Sequence, residues 1–211
     1  MSERDITTLN SQLVVAVRKN EGDEVDRLLS LGASANACDD GWPVLMEACS
    51  RRYHSVCKLL VKRGANVNRT TSTGVTALMR VAMDGDEEMV DFLLSLNADA
   101  RQKDRDGETA FDWAMGAGHM STAGRLVLAT QRIEDVTVEH RLLVLLWACK
   151  NKRDDVIKSI VKLGTEMKDD LGQTLLHGAA RYGRLDVVEL LLANKADADA
   201  SDKVGVVTIK Y

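Results

Sequence analysis

Hydrophobic and polar positions alternate along this chain in a way that predicts pairs of short helices. Within residues 76–83 the apolar side chains of Leu78 and Val81 recur at helical spacing, and the apolar positions of 89–94 resume that spacing after Gly85. A helical period that a glycine interrupts is typical of two antiparallel helices joined by a tight turn. The chain is therefore predicted to consist of helix pairs, separated by polar, turn-rich segments.

A glycine recurs at a fixed interval through the chain. Gly41, Gly74 and Gly107 are 33 residues apart, and Gly172 and Gly205 repeat that step after one gap of 65. A period of about 30 residues is typical of stacked repeat proteins, in which each unit buries its apolar face against its neighbours. The helix pairs are therefore predicted to be copies of one repeat.

Each glycine opens a similar run of residues. Gly74 begins Gly-Val-Thr-Ala-Leu-Met, Gly107 begins Gly-Glu-Thr-Ala-Phe-Asp, and Gly172 begins Gly-Gln-Thr-Leu-Leu-His. The run resembles the ankyrin repeat, whose consensus is D-x-x-G-x-T-P-L-H-x-A-A to L-L-x-x-G-A-D-V-N, and its best copy is 169–199, with Leu175 in place of proline. This resemblance implies an all-α repeat solenoid, in which stacked helix-turn-helix repeats with β-hairpin fingers form a curved array.

The resemblance divides residues 1–211 into one ankyrin repeat domain with irregular ends and an irregular middle. The long gap between glycines indicates a finger remodelled over 133–141, and the last glycine begins a repeat that is not completed. The units expected are an N-terminal capping repeat at 9–37, repeats at 38–70, 71–103 and 104–130, a divergent repeat at 131–168, a repeat at 169–201, and a truncated repeat start or tail at 202–211.

Threonine precedes the first helix in three repeats. Thr76, Thr109 and Thr174 each stand one residue before the predicted helix, where a hydroxyl oxygen can accept a hydrogen bond from a free amide. We expect all three to be N-caps. The resemblance implies that His177, three residues after Thr174, hydrogen-bonds the neighbouring finger backbone and has a structural role.

Composition narrows the classes of partner and compartment. The net charge is −4 and the isoelectric point about 5.6, which gives no general attraction to polyphosphate, so nucleic acid is not expected as a partner. No segment is long and apolar enough for membrane insertion. The four cysteines show no CxxC spacing. We expect reduced thiols and a cytoplasmic or nuclear location.

No arrangement of residues predicts catalysis. The four histidines, His54, His119, His140 and His177, fall in different repeats, and none lies four residues from another as in a helical zinc site. No nucleophile, base and orienting group occur together in a known motif. The sequence therefore predicts no enzyme, no catalytic or metal-ligating residues and no cofactor.

The resemblance implies a binding surface along the finger tips and the first-helix side. Trp42 and Tyr182 are the best anchors, since aromatic residues and arginine dominate interface energies once they are desolvated. The alternative for both rings is packing against their own or a neighbouring repeat. The candidate partner-binding residues are Asp40, Trp42, Ser50, Arg51, Val75, Met83, Asp84, Arg105, Glu108, Lys152, Arg153, Gln173, Arg181, Tyr182 and Arg184.

Charge is distributed unevenly along the turns between paired helices. Lys152, Arg153 and Arg184 make the turns of the fifth and sixth repeats basic, whereas the turn after Asp84 is acidic. One hypothesis is that this basic rim binds an acidic or phosphorylated peptide, because guanidinium groups pair well with carboxylate and phosphate. The alternative is a solvated rim that serves solubility.

The function expected from these features is that of a protein-protein interaction module, an adaptor or scaffold that binds a partner protein or peptide. Two alternatives remain open: a regulatory inhibitor of a kinase or transcription factor, and the targeting domain of a larger enzyme. Because no capping repeat follows residue 201, self-association through the carboxy-terminal end is a further expectation.

Overall fold

The computed structural model describes residues 3–130, 138–162 and 164–205, which form twelve α-helices and one two-stranded hairpin. The helices form six pairs, so the predicted all-α repeat class is confirmed. The elements are α1 (Glu3–Arg18), α2 (Gly22–Ser30), β1 (Cys38–Asp39), β2 (Trp42–Pro43), α3 (Val44–Ser50), α4 (His54–Lys62), α5 (Ala77–Met83), α6 (Glu87–Ser95), α7 (Ala110–Gly116), α8 (Met120–Thr130), α9 (Val138–Lys150), α10 (Asp154–Lys162), α11 (Leu175–Arg181) and α12 (Leu185–Ala193).

The three predicted threonine caps are confirmed. The hydroxyl of Thr76 accepts a hydrogen bond from the amide of Met79 at 3.2 Å, and Thr109 and Thr174 cap α7 and α11 in the same way. At α11 the Nδ1 atom of His177 lies 2.9 Å from the Thr174 hydroxyl and accepts from the Thr174 amide. This imidazole therefore supports the cap of its own helix, and each such cap contributes about 1 kcal/mol.

The core consists of apolar side chains between the two helices of a pair and between neighbouring pairs. In the first helices, small residues such as Ala48, Ala82 and Ala114 are fully buried, which lets α3, α5 and α7 pack side by side. The second helices contribute larger buried residues, among them Leu60 and Leu93. The repeat positions that carry the sequence signature are therefore the ones that build the core.

The finger before α3 is a β-hairpin. Cys38 of β1 pairs with Pro43 of β2, and Asp39 pairs with Trp42. Asp40 and Gly41, the two residues between the strands, both have positive φ, of 47° and 77°, as a tight hairpin turn of the right twist requires. Asp40 is thus held at an exposed tip.

Later fingers are joined by backbone hydrogen bonds from one repeat to the next. The amide of Arg105 donates to the carbonyl of Thr73 at 2.9 Å, and the amide of Lys203 donates to the carbonyl of Leu171 at the same distance. The start of the seventh repeat therefore continues the finger pattern as far as Gly205. The predicted tail beyond it, 206–211, lies outside the described residues.

The described chain forms two compact units, Met1–Thr122 and Ala123–Tyr211. The first contains the helices α1 to α7, and the second contains α9 to α12 together with most of α8. None of the described helices combines the length and the apolar character that a membrane span needs.

The divergent repeat differs from its prediction at the start of α9. The finger was expected to extend to Arg141, but the helix already begins at Val138, while 131–137 lie outside the described residues. The added turn, 138–141, is stabilised by burial of Val138 at its start. Arg141 is also buried; burial lowers its pKa, and its Nη1 donates to the sulfur of Met167.

Candidate partner-binding surface

The second unit contains a pocket of about 140 Å³ between α9, α11 and the finger that precedes α11. Of the residues predicted to contact a partner, it brings together Gln173, Arg181 and Tyr182. Its apolar part includes Leu171, which is 59% exposed, beside the 55% exposed ring of Tyr182. The complete lining is Val138, Leu142, Leu143, Asp169, Leu171, Gln173, Thr174, Gly178, Arg181 and Tyr182.

Hydrogen bonds fix the polar edge of this pocket. Asp169 Oδ1 accepts the amides of Leu171 and Gln173 at 2.9 and 2.7 Å, which holds the finger in place. The Nη2 atom of Arg181 donates to the side-chain oxygen of Gln173. Among the residues that the structure describes, Arg181 makes no ion pair with a carboxylate. Its positive charge therefore remains available at the edge of an apolar pocket.

Sequence reasoning did not identify the floor of this pocket. Gly178 lies within α11, where a Cβ atom would overlap the side chain of Leu142 on α9. The glycine thus lets the two helices approach closely enough to form one wall. A glycine inside a helix pattern was the available signal, since it often marks a close approach. No sequence signal marked Leu142, because its repeat lacks the glycine that recurs every 33 residues in the others.

Exposure varies among the candidate finger residues of the first unit. Arg105 and Glu108 are exposed, and Arg105 Nη2 donates to the carbonyl of Ser72 at 3.2 Å. Val75 was predicted to be an exposed contact residue, and this is wrong, because only 9% of it is exposed. Its amide and carbonyl both bond Thr71, just as those of Glu108 and Gln173 bond the aspartates of their own fingers. The backbone contacts are thus alike, and it is the apolar side chain of Val75 that is buried.

The remaining candidates of the first unit lie at the ends of first helices, apart from Trp42. Met83 is 44% exposed at the end of α5, and Trp42 is half-buried in its hairpin. Ser50 and Arg51 both bond Glu47, at 3.0 and 2.8 Å. Ser50 and Arg51 thus share Glu47, and the other side chains are spread along the unit. The first unit therefore offers separate exposed positions, in contrast to the pocket of the second.

Opposite charges compensate one another on the acidic turn. Asp84 accepts from Arg80 at 3.3 Å, and its carbonyl accepts from Arg52 of the preceding repeat. His54 Nε2 lies 2.5 Å from Asp86 Oδ2, which links the second and third repeats. The acidic character predicted for this turn is thus reduced by basic side chains of the same and the preceding repeat.

The predicted basic rim is compensated in the same manner. Arg153 donates to both carboxylate oxygens of Asp155, at 3.0 and 2.8 Å, and this lowers the pKa of Asp155 to about 2. Arg184 pairs with both oxygens of Asp186 at 3.1 and 2.8 Å and lowers the pKa of that carboxyl. The exposed ammonium of Lys152 makes no ion pair within the described ranges. Of the three rim cations, only Lys152 is free of a carboxylate.

No metal site or reactive centre emerges from the side chains that the structure describes. No three histidine, cysteine, aspartate or glutamate residues in this part of the chain are grouped so that they could hold a metal ion. The sulfurs of Cys49 and Cys57 lie 3.6 Å apart in the core, and their hydrogen bond and burial raise the pKa of Cys49. Such a buried thiol is unreactive at neutral pH.

Comparison with known protein families identifies the repeat. A model of ankyrin repeats in three copies matches residues 123–202, and a second model of ankyrin repeats in many copies matches 45–94 and 80–126. Together the matches run from residue 45 to residue 202, which includes the divergent fifth repeat.

Several longer proteins contain a similar stretch. The chain is 38% identical over 195 residues to the ankyrin repeat and SAM domain-containing protein 6 of Danio rerio, covering 90% of this chain and 22% of that protein. It is 32% identical over 158 residues to the E3 ubiquitin-protein ligase XBAT33 of Arabidopsis thaliana, covering 72% and 29%. It is 36% identical over 77 residues to the 2-5A-dependent ribonuclease of Mus musculus, covering 36% and 10%. The chain therefore spans less than a third of each relative.

Proposed function

The chain belongs to the ankyrin repeat family, and from that premise we propose that it is a non-catalytic adaptor whose second unit binds an extended segment of a partner protein. Ankyrin repeats are in general protein-protein interaction modules. The observation that carries the proposal is the pocket in which exposed Leu171 and Tyr182 stand beside Arg181. An apolar anchor of a peptide can pack against the two exposed side chains, and a negatively charged neighbour of that anchor can pair with the unpaired guanidinium.

The chemistry of the pocket favours a particular kind of segment. An aliphatic or aromatic partner side chain would lie between Leu171 and Tyr182, and a partner carboxylate would pair with Arg181, displacing only the neutral side chain of Gln173. Because the finger is already fixed by Asp169, little conformational entropy is lost on binding. We propose an intracellular location for this interaction, in keeping with four free thiols.

A screen of displayed peptides, followed by calorimetry with a selected ligand, tests this function. We expect Tyr182→Ala and Leu171→Ala each to weaken binding about tenfold or more, as truncation of an interface anchor does. The matched control is Leu185→Ala, which removes a 68% exposed leucine that does not line the pocket. Equal affinity of the wild type and the Tyr182→Ala protein for every selected ligand would overturn the assignment.

A second candidate function is that of a targeting module within a larger enzyme. It is favoured by the lengths of the relatives, two of which are named as a ubiquitin ligase and a ribonuclease and are more than three times as long as the matched stretch. Fusing this chain to a reporter enzyme and measuring recruitment to the selected ligand, with Tyr182→Ala as comparison, tests the idea. Recruitment that does not depend on the pocket would contradict it.

Two further functions can be decided by experiment. Inhibition of a kinase or transcription factor by this chain stays a prediction, which activity assays on a purified partner would decide. Binding of an acidic or phosphorylated peptide at the rim of Lys152, Arg153 and Arg184 also stays a prediction. Charge reversal at these three positions tests it, and unchanged affinity and salt dependence would count against it.

A further inference from the structure

A groove lies between the second helices α10 and α12, apart from the pocket of the proposed function. It has a volume of about 430 Å³ and continues into a second space of about 310 Å³. Ile157, Lys158 and Leu190 line both parts. We call the pocket between α9, α11 and the preceding finger the Tyr182 pocket. None of the groove residues lines it, so the two surfaces are distinct. The remaining groove residues are Cys149, Lys152, Asp154, Val161, Lys162, Asp186 and Asn194.

The corresponding place in the first unit, between α4 and α6, is filled. The ammonium of Lys58 lies 5.8 Å from the centre of the Phe92 ring and 2.8 Å from Glu88 Oε1. An aromatic ring, a lysine above it and a carboxylate therefore close this space. Both contacts join the second helix of one repeat to the second helix of the next.

The second unit has a lysine at the equivalent position, but it has neither the aromatic ring nor the available carboxylate. The helices α4 and α10 each have nine residues, with Lys58 and Lys158 at the fifth position. The helices α6 and α12 also have nine residues each, and the sixth position changes from Phe92 to Leu190. A smaller, non-aromatic side chain thus stands where the ring would be, which leaves the groove open.

The carboxylate of the second unit that corresponds to Glu88 does not pair with Lys158. Asp186 takes the place of Glu88 as the second residue of its helix, but both of its oxygens are bound by Arg184 at 3.1 and 2.8 Å. Among the described residues, Lys152, Lys158 and Lys162 make no ion pair. With Asp186 neutralised, three lysines face a single remaining groove carboxylate, that of Asp154. The groove therefore has an apolar floor of Ile157 and Leu190 and a net positive rim.

We propose that this groove binds a segment of a partner protein that carries an aromatic side chain close to a carboxylate. The ring lies on Ile157 and Leu190, under the ammonium of Lys158, and the carboxylate pairs with that ammonium. The partner thereby supplies the two groups that Phe92 and Glu88 supply between α4 and α6. Burial of the ring and a cation–π contact with the ammonium of Lys158 favour this occupant over an aliphatic one.

The chain itself provides a probe for this proposal. A synthetic helical peptide of residues 86–96 presents Glu88 and Phe92 on adjacent turns. Its other large apolar residues are replaced by glutamine, so that Phe92 is its only large anchor; these are Met89, Val90, Leu93, Leu94 and Leu96. Titration of the full chain, followed by amide NMR shifts, should move the signals of Ile157, Lys158 and Leu190. Peptides with Phe92→Leu or Glu88→Gln should bind about fivefold or more weakly.

Two protein variants test the groove directly. Leu190→Phe fills the space from within and should weaken binding of the peptide about tenfold or more, with the variant still folded because its side chain is only partly buried. Lys158→Gln should weaken binding and reduce its salt dependence. Lys62→Gln is the matched control, because Lys62 is the exposed last residue of the equivalent helix α4.

The outcomes separate this groove from the Tyr182 pocket. Tyr182→Ala should leave the affinity for the 86–96 peptide unchanged. The proposal is overturned if no groove signals move at about 1 mM peptide, a concentration at which even a millimolar complex is half formed. It is equally overturned if Leu190→Phe and Lys158→Gln bind the peptide as the wild type does, or if Tyr182→Ala abolishes binding.

Discussion

At the scale of single residues, glycines decide where backbone and side chains can approach one another. Gly85 has a φ of 66°, and a Cβ at this position would lie 2.5 Å from the ring of His119. Gly178 has ordinary helical geometry, and its role is steric, since Leu142 fills the space that a side chain would need. One glycine serves a turn and the other serves the packing of α9 against α11.

Replacing Gly178 with alanine should therefore destabilise the protein. Alanine gains about 1 kcal/mol in helix propensity, but overlap with Leu142 costs about 1–3 kcal/mol, so a net loss is expected. Urea denaturation measures the change. Gly116→Ala in α7 is the control, because a Cβ there meets no atom within 4 Å, and this variant should be as stable as the wild type or more so. A Gly178→Ala protein more stable than the wild type would contradict the packing account.

Part of the pocket lining could be predicted residue by residue, but burial could not. Gln173, Arg181 and Tyr182 were named from their places in the repeat, and they line one pocket. Val75 holds an equivalent finger position with the same backbone hydrogen bonds as Gln173, yet its apolar side chain is buried. Repeat position specifies the backbone location, whereas the chemistry of a side chain and of its neighbours decides whether it is buried.

At the scale of elements, asparagines connect one repeat to the next. Asn36 accepts the amide of Asn66 at 2.8 Å and donates to the carbonyl of Gly64 at 3.1 Å. Asn68 repeats the arrangement one unit later, accepting the amide of Asp99 at 2.8 Å and donating to the carbonyl of Asn97 at 3.2 Å. Each side chain thus satisfies two backbone groups at the end of the next second helix.

Asn68→Ala should weaken this connection. Two lost hydrogen bonds at a partly solvated site should lower the free energy of unfolding by about 1–2 kcal/mol. Urea denaturation measures that loss, and hydrogen exchange should show reduced protection of the Asp99 amide. Asn194→Ala, which removes one bond to Leu190 within the same repeat, should cost less. Unchanged exchange at Asp99 would show that Asn68 does not hold the repeats together.

At the scale of the whole molecule, ion pairs cancel much of the surface charge. The net charge is −4, and Arg153 and Arg184 of the basic turns are each paired with an aspartate of their own repeat. Such pairs contribute little stability each, since exposed ion pairs are worth about 0–1 kcal/mol. Their main effect is on the choice of partner, because they leave only a few unpaired cations that could bind an acidic partner.

The chain should consequently not bind nucleic acid. Fluorescence anisotropy with a short DNA duplex at physiological salt should show no association up to about 100 μM protein, because non-specific binding depends on many released counterions. A protein carrying Asp155→Asn and Asp186→Asn, which frees Arg153 and Arg184, is the comparison and should bind more strongly at low salt. Micromolar affinity of the wild type would contradict this expectation.

The sequence by itself determined the repeat, the threonine caps and the helix pairs, because these depend on contacts between residues close together in the chain or one period apart. Only the tertiary structure decided the early start of α9, the inward turn of Val75 and the groove between α10 and α12. These depend on which side chains meet across repeats, as when Leu190 replaces the ring of Phe92 and Arg184 takes the carboxylate from Lys158. A periodic pattern specifies which positions are equivalent. Packing and charge between neighbouring repeats decide which of these positions are left exposed to a partner.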